Sequence, residues 1–205
     1  MNLRSIVKTL APAAIFVSSA AMAAPQDVYI KNIAYNGSGC PIGSVAENLS
    51  SDKQAFTLTF AEYIAEAGPG LSLRDGRKNC QITLDLHVPQ GWQYSVGTFD
   101  YRGFVVLDRG MQAKHTTSYY FQGQGRTGRF QNTMNGAMDE VFQFRQRVGL
   151  ESFVWSSCNA ERALNINTAI SVRRKGGSRR AEGIIGTDSA DGSIQQIWGI
   201  RWRRC

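Results

Sequence analysis

Hydrophobic and polar residues alternate along much of the chain with a period of two. Between residues 80 and 88, aliphatic side chains occupy every second position, and Asp85 and His87 occupy two of the positions between them. This alternation is typical of a β-strand that buries one face. The same pattern near the C terminus places Trp198 and Trp202 on the buried face. Nine strands are predicted in all, at 28–35, 56–60, 80–88, 93–99, 102–108, 116–122, 163–174, 183–187 and 194–204.

Turn-forming residues separate these segments. Gly-Pro-Gly stands at 68–70, Pro-Gln-Gly at 89–91 and Gly-Gly-Ser at 176–178. Many short strands with such turns are typical of an antiparallel β-sandwich or jelly roll. Helical signals are weak: residues 61–67 favour a short helix, and 135–147 fit either a helix or a strand. We therefore predict an all-β, antiparallel β-sandwich or jelly-roll-like fold with at most one or two short helices.

The first 23 residues have the organisation of a signal peptide. Arg4 and Lys8 precede an apolar run, and small residues lead up to the bond after Ala23, which is the pattern that signal peptidase cleaves. The run is shorter than the roughly 20 apolar residues that span a bilayer, and no later segment is long enough. We predict cleavage after Ala23, a single secreted β-sandwich domain over 24–205, and no membrane span.

Export changes the meaning of the four cysteines, Cys40, Cys80, Cys158 and Cys205. In an oxidising compartment an even number of cysteines indicates disulfides, and four allow three pairings. Cys40–Cys80 and Cys158–Cys205 are favoured because each pair joins neighbouring segments. Zinc sites bring ligands in closely spaced pairs, which this chain lacks, and it has only two histidines. We predict two disulfides, no metal site and no cofactor.

Positive charge is concentrated in the last quarter of the chain. Residues 24–159 carry twelve basic and twelve acidic residues, whereas residues 160–205 carry nine basic and four acidic ones. A basic surface attracts polyanions, although charges on strand edges also discourage aggregation. Both interpretations stay open. The predicted binding residues of this region flank the Gly-Gly turn of a basic hairpin: Arg173, Arg174, Lys175, Arg179 and Arg180.

A set of short motifs carries a resemblance to a known family. They are G-S-G-C-P at 37–41, R-K-N-C-Q at 77–81, P-x-G-W at 89–92, D-Y-R-G at 100–103, Y-Y-F at 119–121, W-S-x-C at 155–158, L-N-I-N at 164–167 and W-R-R-C at 202–205. In this order they resemble the secreted family known as domain of unknown function 4360, found in fungi and bacteria. The resemblance covers nearly all of the predicted mature chain. It implies export, half-cystines at the four cysteine positions and a β-rich fold, and it brings no established reaction, ligand or catalytic residue.

Several short patterns resemble ligand-binding or catalytic motifs. Residues 123–128 spell G-x-G-x-x-G, but a dinucleotide site also needs a helix that opens there within a βαβ unit, so a hairpin loop is predicted. Residues 188–192 lack the alternating oxygen ligands of a calcium loop and are predicted to form a turn. Asp85, His87 and His115 are the candidate catalytic residues of an alternative function, a secreted hydrolase, because a His–Asp pair orients a general base.

The leading hypothesis is a secreted binding protein that recognises a glycan or an anionic surface polymer. Aromatic faces stack on flat ligands, and Trp92, Tyr94 and Tyr120 are the predicted binding aromatics, beside the basic hairpin. The loop 36–44, tied down by Cys40, is predicted to form a rim near them. A third alternative is an effector or inhibitor that binds a host or neighbouring protein through this loop. Specific nucleic-acid recognition is not expected.

Overall fold

The computed structural model describes residues 24–149, 153–186 and 194–205. The described residues form twelve strands: β1 (Tyr29–Asn36), β2 (Val45–Leu49), β3 (Ala55–Phe60), β4 (Ala65–Ala67), β5 (Arg77–His87), β6 (Trp92–Leu107), β7 (Met111–Phe121), β8 (Gly128–Asn135), β9 (Met138–Arg147), β10 (Leu164–Arg174), β11 (Gly183–Gly186) and β12 (Ile194–Arg204). The predicted signal peptide and the predicted turn at 188–192 lie outside these ranges. Within the same ranges, no helix is long and apolar enough to cross a bilayer.

The strands form two antiparallel sheets. The first has five strands in the order β1-β5-β10-β7-β8, and the second has seven, in the order β2-β3-β12-β6-β11-β4 with β9 on the other side of β6. The long strand β6 holds the second sheet together, because β12 and β11 follow one another along one of its edges while β9 occupies the other. The predicted all-β, antiparallel fold is confirmed.

Two local predictions need correction or completion. The helix predicted at 61–67 is wrong: Tyr63 and Ala65 are buried, and Ala65–Ala67 pair with β11. Burial and pairing in the sheet outweigh a helix preference of a few tenths of a kcal/mol per residue. The ambiguous segment 135–147 contains a strand, β9, which pairs with β6 along ten residues.

The core lies between the two sheets. Trp198 is fully buried, stacks on Phe56 at 5.7 Å between ring centroids and tilts against Phe99 at 4.8 Å. Trp202 is partly buried against this core, and its indole N–H donates to the Lys53 carbonyl at 2.9 Å. The prediction that both tryptophans belong to the buried face is confirmed. Alternate residues of β10, from Leu164 to Val172, are buried as the period of two predicts.

Both disulfides form with the predicted pairing. Cys40–Cys80 joins the loop after β1 to the middle of β5, and Cys158–Cys205 joins the segment before β10 to the residue after β12. The strands β5, β7 and β12 end, and β6 and β10 begin, at the same end of the sandwich, which we call the cleft end. The opposite end, where β7 begins and β10 ends, is the far end.

The G-x-G-x-x-G segment connects β7 to β8, which are antiparallel neighbours. It is therefore a hairpin loop, as predicted, and no helix follows it.

Candidate functional site

A cleft of about 470 Å³ opens at the cleft end of the sandwich. The turn that joins β5 to β6 forms one wall, and the segment that leads into β10 forms the other. Leu86, Val88 and Tyr94 contribute apolar surface. Trp92 and several polar side chains, among them His87 and Glu161, line the rest.

Hydrogen bonds around Gly91 fix the first wall. Gly91 has a left-handed backbone with φ of 79°, which a tight turn requires and which glycine adopts without strain. Its N–H donates to Asn159 Oδ1 at 2.8 Å, and its carbonyl accepts from the Cys205 N–H at 2.9 Å. Asn159 is itself left-handed, with φ of 51°, a conformation that asparagine tolerates better than most residues. The two walls are thus bonded to each other beside the Cys158–Cys205 disulfide.

A chain of charged and polar side chains connects Glu161, in the second wall, to His87 at the end of β5 and to Lys31 in β1. Glu161 Oε1 lies 2.9 Å from His87 Nδ1, and Glu161 Oε2 accepts from Lys31 Nζ at 2.6 Å. On the other side of the imidazole, Asp27 Oδ2 lies 3.6 Å from His87 Nε2. The Lys31 hydrogen bond, followed by that from His87, lowers the pKa of the Glu161 carboxyl, and Glu161 in turn raises the pKa of Lys31. Glu161 therefore presents carboxylate oxygens at the cleft, which Asp27 also lines.

Trp92 borders both this cleft and a shallower depression that Pro25 and Arg204 also line. The guanidinium of Arg204 lies 4.0 Å from the centre of its ring, in a cation–π contact. Arg204 lines only the shallower depression. Arg204 thus covers one face of the indole and is not among the residues that line the cleft.

Tyr94, predicted as a binding aromatic, is only 2% exposed. Its ring packs edge-on against Phe121 at 5.0 Å and tilts against Trp202 at 5.7 Å, and burial raises its pKa. Only this small part of Tyr94 reaches the floor of the cleft, which leaves no free face on which a ligand can stack, so the prediction of a stacking role is wrong. Tyr94 and Trp92 lie two residues apart on β6 and therefore face the same side of the sheet. Trp92 stands at the strand end, where less of the opposing sheet covers it.

The third predicted aromatic, Tyr120, lies outside the cleft. It is half-buried on the outer face of the five-stranded sheet, directly opposite Asn165 on the neighbouring strand. Asn165 in turn accepts a hydrogen bond from Thr83 at 3.0 Å.

The predicted basic hairpin is wrong as a structure. β10 belongs to the five-stranded sheet and β11 to the seven-stranded sheet, so the connection between them crosses from one sheet to the other. It lies at the far end, about 33 Å from the start of β10 at 3.3 Å per residue. Arg174 donates to the Arg179 carbonyl at 2.7 Å, which bends the connection back on itself. All five predicted basic residues are exposed there: Arg173, Arg174, Lys175, Arg179 and Arg180.

The predicted catalytic set does not converge. Asp85 and His87 share the outer face of β5, whereas His115 is fully buried between the sheets. His115 pairs with Ile170 on β10, and Ile170 pairs with Lys78 on β5. Because Lys78 lies nine residues before His87, His115 is about 30 Å from His87 along the strands. Desolvation lowers the pKa of His115 to about 3, so the ring is neutral near pH 7. The hydrolase arrangement that combined His115 with Asp85 and His87 is therefore wrong.

The loop 36–44 does not lie near Trp92, where the sequence predicts it. Asn36 pairs with Gln81, and the Gly39 N–H donates to the Asn79 carbonyl, so the loop lies beyond the middle of β5 toward the far end. It cannot form a rim beside Trp92. Its tip carries Ile42, which is almost completely exposed, and its role as a protein-binding loop stays a prediction.

Sequence reasoning missed the partners of His87. Glu161 is 74 residues away in sequence, and it reaches His87 only because β5 and β10 pair in one particular register. No local pattern marks Asp27, Lys31 or Glu161 as neighbours. Among the residues that the structure describes, no group of three or more His, Cys, Asp and Glu side chains is arranged to hold a metal ion.

Comparison with known proteins identifies the family of this chain. The family model of the domain of unknown function DUF4360 matches residues 26–205. An uncharacterized secreted protein from Arthroderma benhamiae is 40% identical over 181 residues, which cover 88% of this chain and 73% of the relative. The relative's secretion and the two disulfides confirm the predicted export.

A similar solved structure is that of TmCBM61 in complex with beta-1,4-galactotriose, at 9% identity and a TM-score of 0.24, covering 85% of this chain and 90% of the other. A TM-score this low carries no argument about fold or ligand. The match over residues 26–205 and the 40% identical relative, in contrast, reproduce the predicted resemblance along almost the whole described chain. The chain belongs to the DUF4360 family.

Proposed function

We propose that this protein is a secreted glycan-binding protein and that its ligand stacks on Trp92 in the cleft. The observation that carries the proposal is the combination, in one cleft, of the Trp92 indole with polar groups: His87 and Glu161, which are bonded to each other, and the exposed side chain of Asp27. Its volume of about 470 Å³ lies within the range of small-molecule sites. A sugar ring offers an apolar face for stacking and hydroxyl groups around its edge, and the cleft offers a partner for each.

The charges at the cleft favour an uncharged sugar. Lys31 offsets Glu161, and the basic Arg162 lines the same cleft as the acidic Asp27. Carboxylates that accept from neutral hydroxyl groups make charge-assisted hydrogen bonds, which are stronger than neutral ones. A ligand with its own carboxylate would meet Asp27 and Glu161 at close range. The ligand is therefore proposed to bind through hydroxyl groups.

Titration of the mature, oxidised protein with soluble oligosaccharides tests the proposal. The probes are β-1,4-glucan, β-1,3-glucan and chitin oligosaccharides, with binding followed by calorimetry. At least one probe should bind, and Trp92→Ala should weaken its binding by roughly ten-fold or more, the effect expected from loss of an aromatic stacking platform. The matched control is Trp155→Ala, because Trp155 is also half-buried under an arginine, with Arg203 at 4.1 Å, but does not line the cleft.

Two outcomes would contradict the proposal. One is the absence of binding by every probe at millimolar concentration. The other is equal binding by Trp92→Ala and the wild type.

A second candidate function, retention of an anionic polymer, rests on the far end. Five exposed cationic side chains lie within eight residues there, from Arg173 to Arg180. Binding to a sulfated polysaccharide column should then weaken with salt and disappear when Arg173, Arg174, Arg179 and Arg180 are all replaced by alanine. Retention that survives these four substitutions would contradict this candidate.

A further inference from the structure

The outer face of the five-stranded sheet is a strip of small polar side chains. Along its central strand, β10, the outward positions are Asn165, Asn167, Ala169 and Ser171, each half-buried. All described strands belong to the two sheets, and none packs against this outer face. Small outward residues on the central strand allow a ligand to approach the sheet closely, and we call this strip the channel.

Three rows of side chains cross this channel. The pairing of β5, β10 and β7 aligns Thr83 with Asn165 and Tyr120, then Gln81 with Asn167 and Ser118, then Asn79 with Ala169 and Thr116. None of these nine side chains is charged. The edge strand β8 adds one cation, Arg129, opposite Ser118, and its guanidinium donates to Gln131 at 3.2 Å.

The middle row has unused hydrogen-bonding capacity. Within the described part of the chain, the side chains of Gln81, Asn167 and Ser118 have no hydrogen bond to another residue. Asn167 and Ser118 are half-buried and Gln81 is exposed, and polar groups without a protein partner in such positions are bonded to water. These groups therefore offer donors and acceptors, already held by the sheet, to a ligand with hydroxyl groups.

The channel is continuous with the cleft. Thr83 on β5 is paired with Asn165 on β10. Four residues further toward the cleft end, β5 carries His87 and the segment before β10 carries Glu161, and these two side chains are in contact. From Ala163, at the cleft end, to Ser171 the channel is about 26 Å long at 3.3 Å per residue. On β5, β10 and β7, charged side chains return toward the far end, where Arg77 and Lys114 flank Ser171.

We propose that this face binds a linear, uncharged polysaccharide whose chain continues from the cleft along β10, with Tyr120 as a second stacking platform. The inference rests on the proposed glycan-binding function and deepens it. Neutral rows of amides and hydroxyls match hydroxyl groups, whereas a polyanion would find no cation on β5, β10 or β7 across the three rows and would meet Asp85 at the junction with the cleft. The small side chains of β10 suit an unbranched chain.

Chain-length dependence tests the inference. Among the β-1,4-glucan, β-1,3-glucan and chitin series, the oligosaccharide that binds the cleft is titrated at two to six units. Affinity should rise by roughly ten-fold or more from the dimer to the hexamer, as expected for an added aromatic platform. Tyr120→Ala and Asn167→Ala should remove much of this gain and leave dimer binding unchanged. Gln143→Ala is the matched control, because Gln143 is an exposed amide on β9 of the other sheet.

The outcomes separate this inference from the function on which it rests. If Trp92→Ala weakens dimer binding but the hexamer binds no better than the dimer, the channel is refuted and the cleft stands. If the hexamer gains affinity that Tyr120→Ala and Asn167→Ala leave intact, the channel is also refuted. Tighter binding of a sulfated chain of the same length, with an affinity that falls steeply as the salt concentration rises, would show that the ligand is a polyanion and overturn the inference. Equal dimer binding by Trp92→Ala and the wild type would refute the proposed function itself.

Discussion

Replacing His115 should change how the stability of the protein depends on pH. The ring is fully buried, stacked on Tyr101 at 3.8 Å between centroids, and its Nε2 lies 3.1 Å from the hydroxyls of both Thr117 and Thr168. Desolvation lowers the pKa of His115 from 6.5 to about 3 in the folded protein. His115→Gln keeps a hydrogen-bonding side chain at this position and removes the titrating group.

The sign and size of the effect follow from proton linkage. As the pH falls below 6.5, the unfolded chain takes up a proton on His115 that the folded protein excludes, so the free energy of unfolding falls. The stabilisation is present above pH 6.5 and is lost progressively toward pH 3. Between pH 7 and pH 4.5, His115 alone should lower the free energy of unfolding by about 2.5 kcal/mol, at about 1.4 kcal/mol per pH unit.

Denaturant unfolding of the oxidised wild type and of His115→Gln at several pH values provides the assay. The substitution also removes ring stacking, so the variant should be less stable at every pH, but it should lose less stability on acidification. Carboxyl groups such as Glu161, whose pKa is lowered in the folded state, contribute equally to both proteins and cancel in the difference. If the two curves of free energy against pH run parallel between pH 7 and pH 4.5, the reasoning about His115 is refuted.

Two further predictions concern the disulfide and the far end. Replacing Cys158 and Cys205 by serine should lower the free energy of unfolding by up to about 4 kcal/mol, because the bond closes a loop of 47 residues; a loss below about 1 kcal/mol in denaturant unfolding would contradict this. Gly43 and Gly110 have left-handed backbones with φ of 85° and 86°, so Gly43→Ala should cost about 1–2 kcal/mol. Gly110→Ala should cost clearly more, since its Cβ would collide with the Gly176 carbonyl whereas nothing lies within 4 Å at Gly43; equal losses in thermal melting would contradict this.

The sequence predicts the strands well because burial of one sheet face imposes a local period of two. In β5 and β10 the alternation identifies the buried residues one by one, and Trp198 follows the same rule in β12. The alternation does not show which strands pair with each other. The Gly-Gly turn after Arg174 has the local chemistry of a hairpin, but whether the chain turns back or crosses to the other sheet depends on which edges are available, and no local signal records this.

The candidate site is less predictable for the same reason. The Pro-Gln-Gly turn before Trp92 predicts an exposed aromatic side chain, and the alternation with leucines predicts that His87 faces outward. Neither pattern shows that they line one cleft, nor that Glu161 stands beside His87. Tyr94 has the same parity as Trp92, and only its position under the opposing sheet makes it a core residue. Predicting a site needs the register between distant strands.

The Cys158–Cys205 disulfide connects stability to the proposed binding site. Both backbone hydrogen-bonding groups of Gly91 are held by residues at this bond: Asn159, next to one half-cystine, accepts from its N–H, and Cys205 itself donates to its carbonyl. The turn that carries Trp92 is therefore fixed to the segment that carries Glu161, which is bonded to His87. A cleft held in this way loses little conformational entropy when a ligand enters. Loss of the disulfide should thus weaken ligand binding at the cleft even under conditions where the protein remains folded.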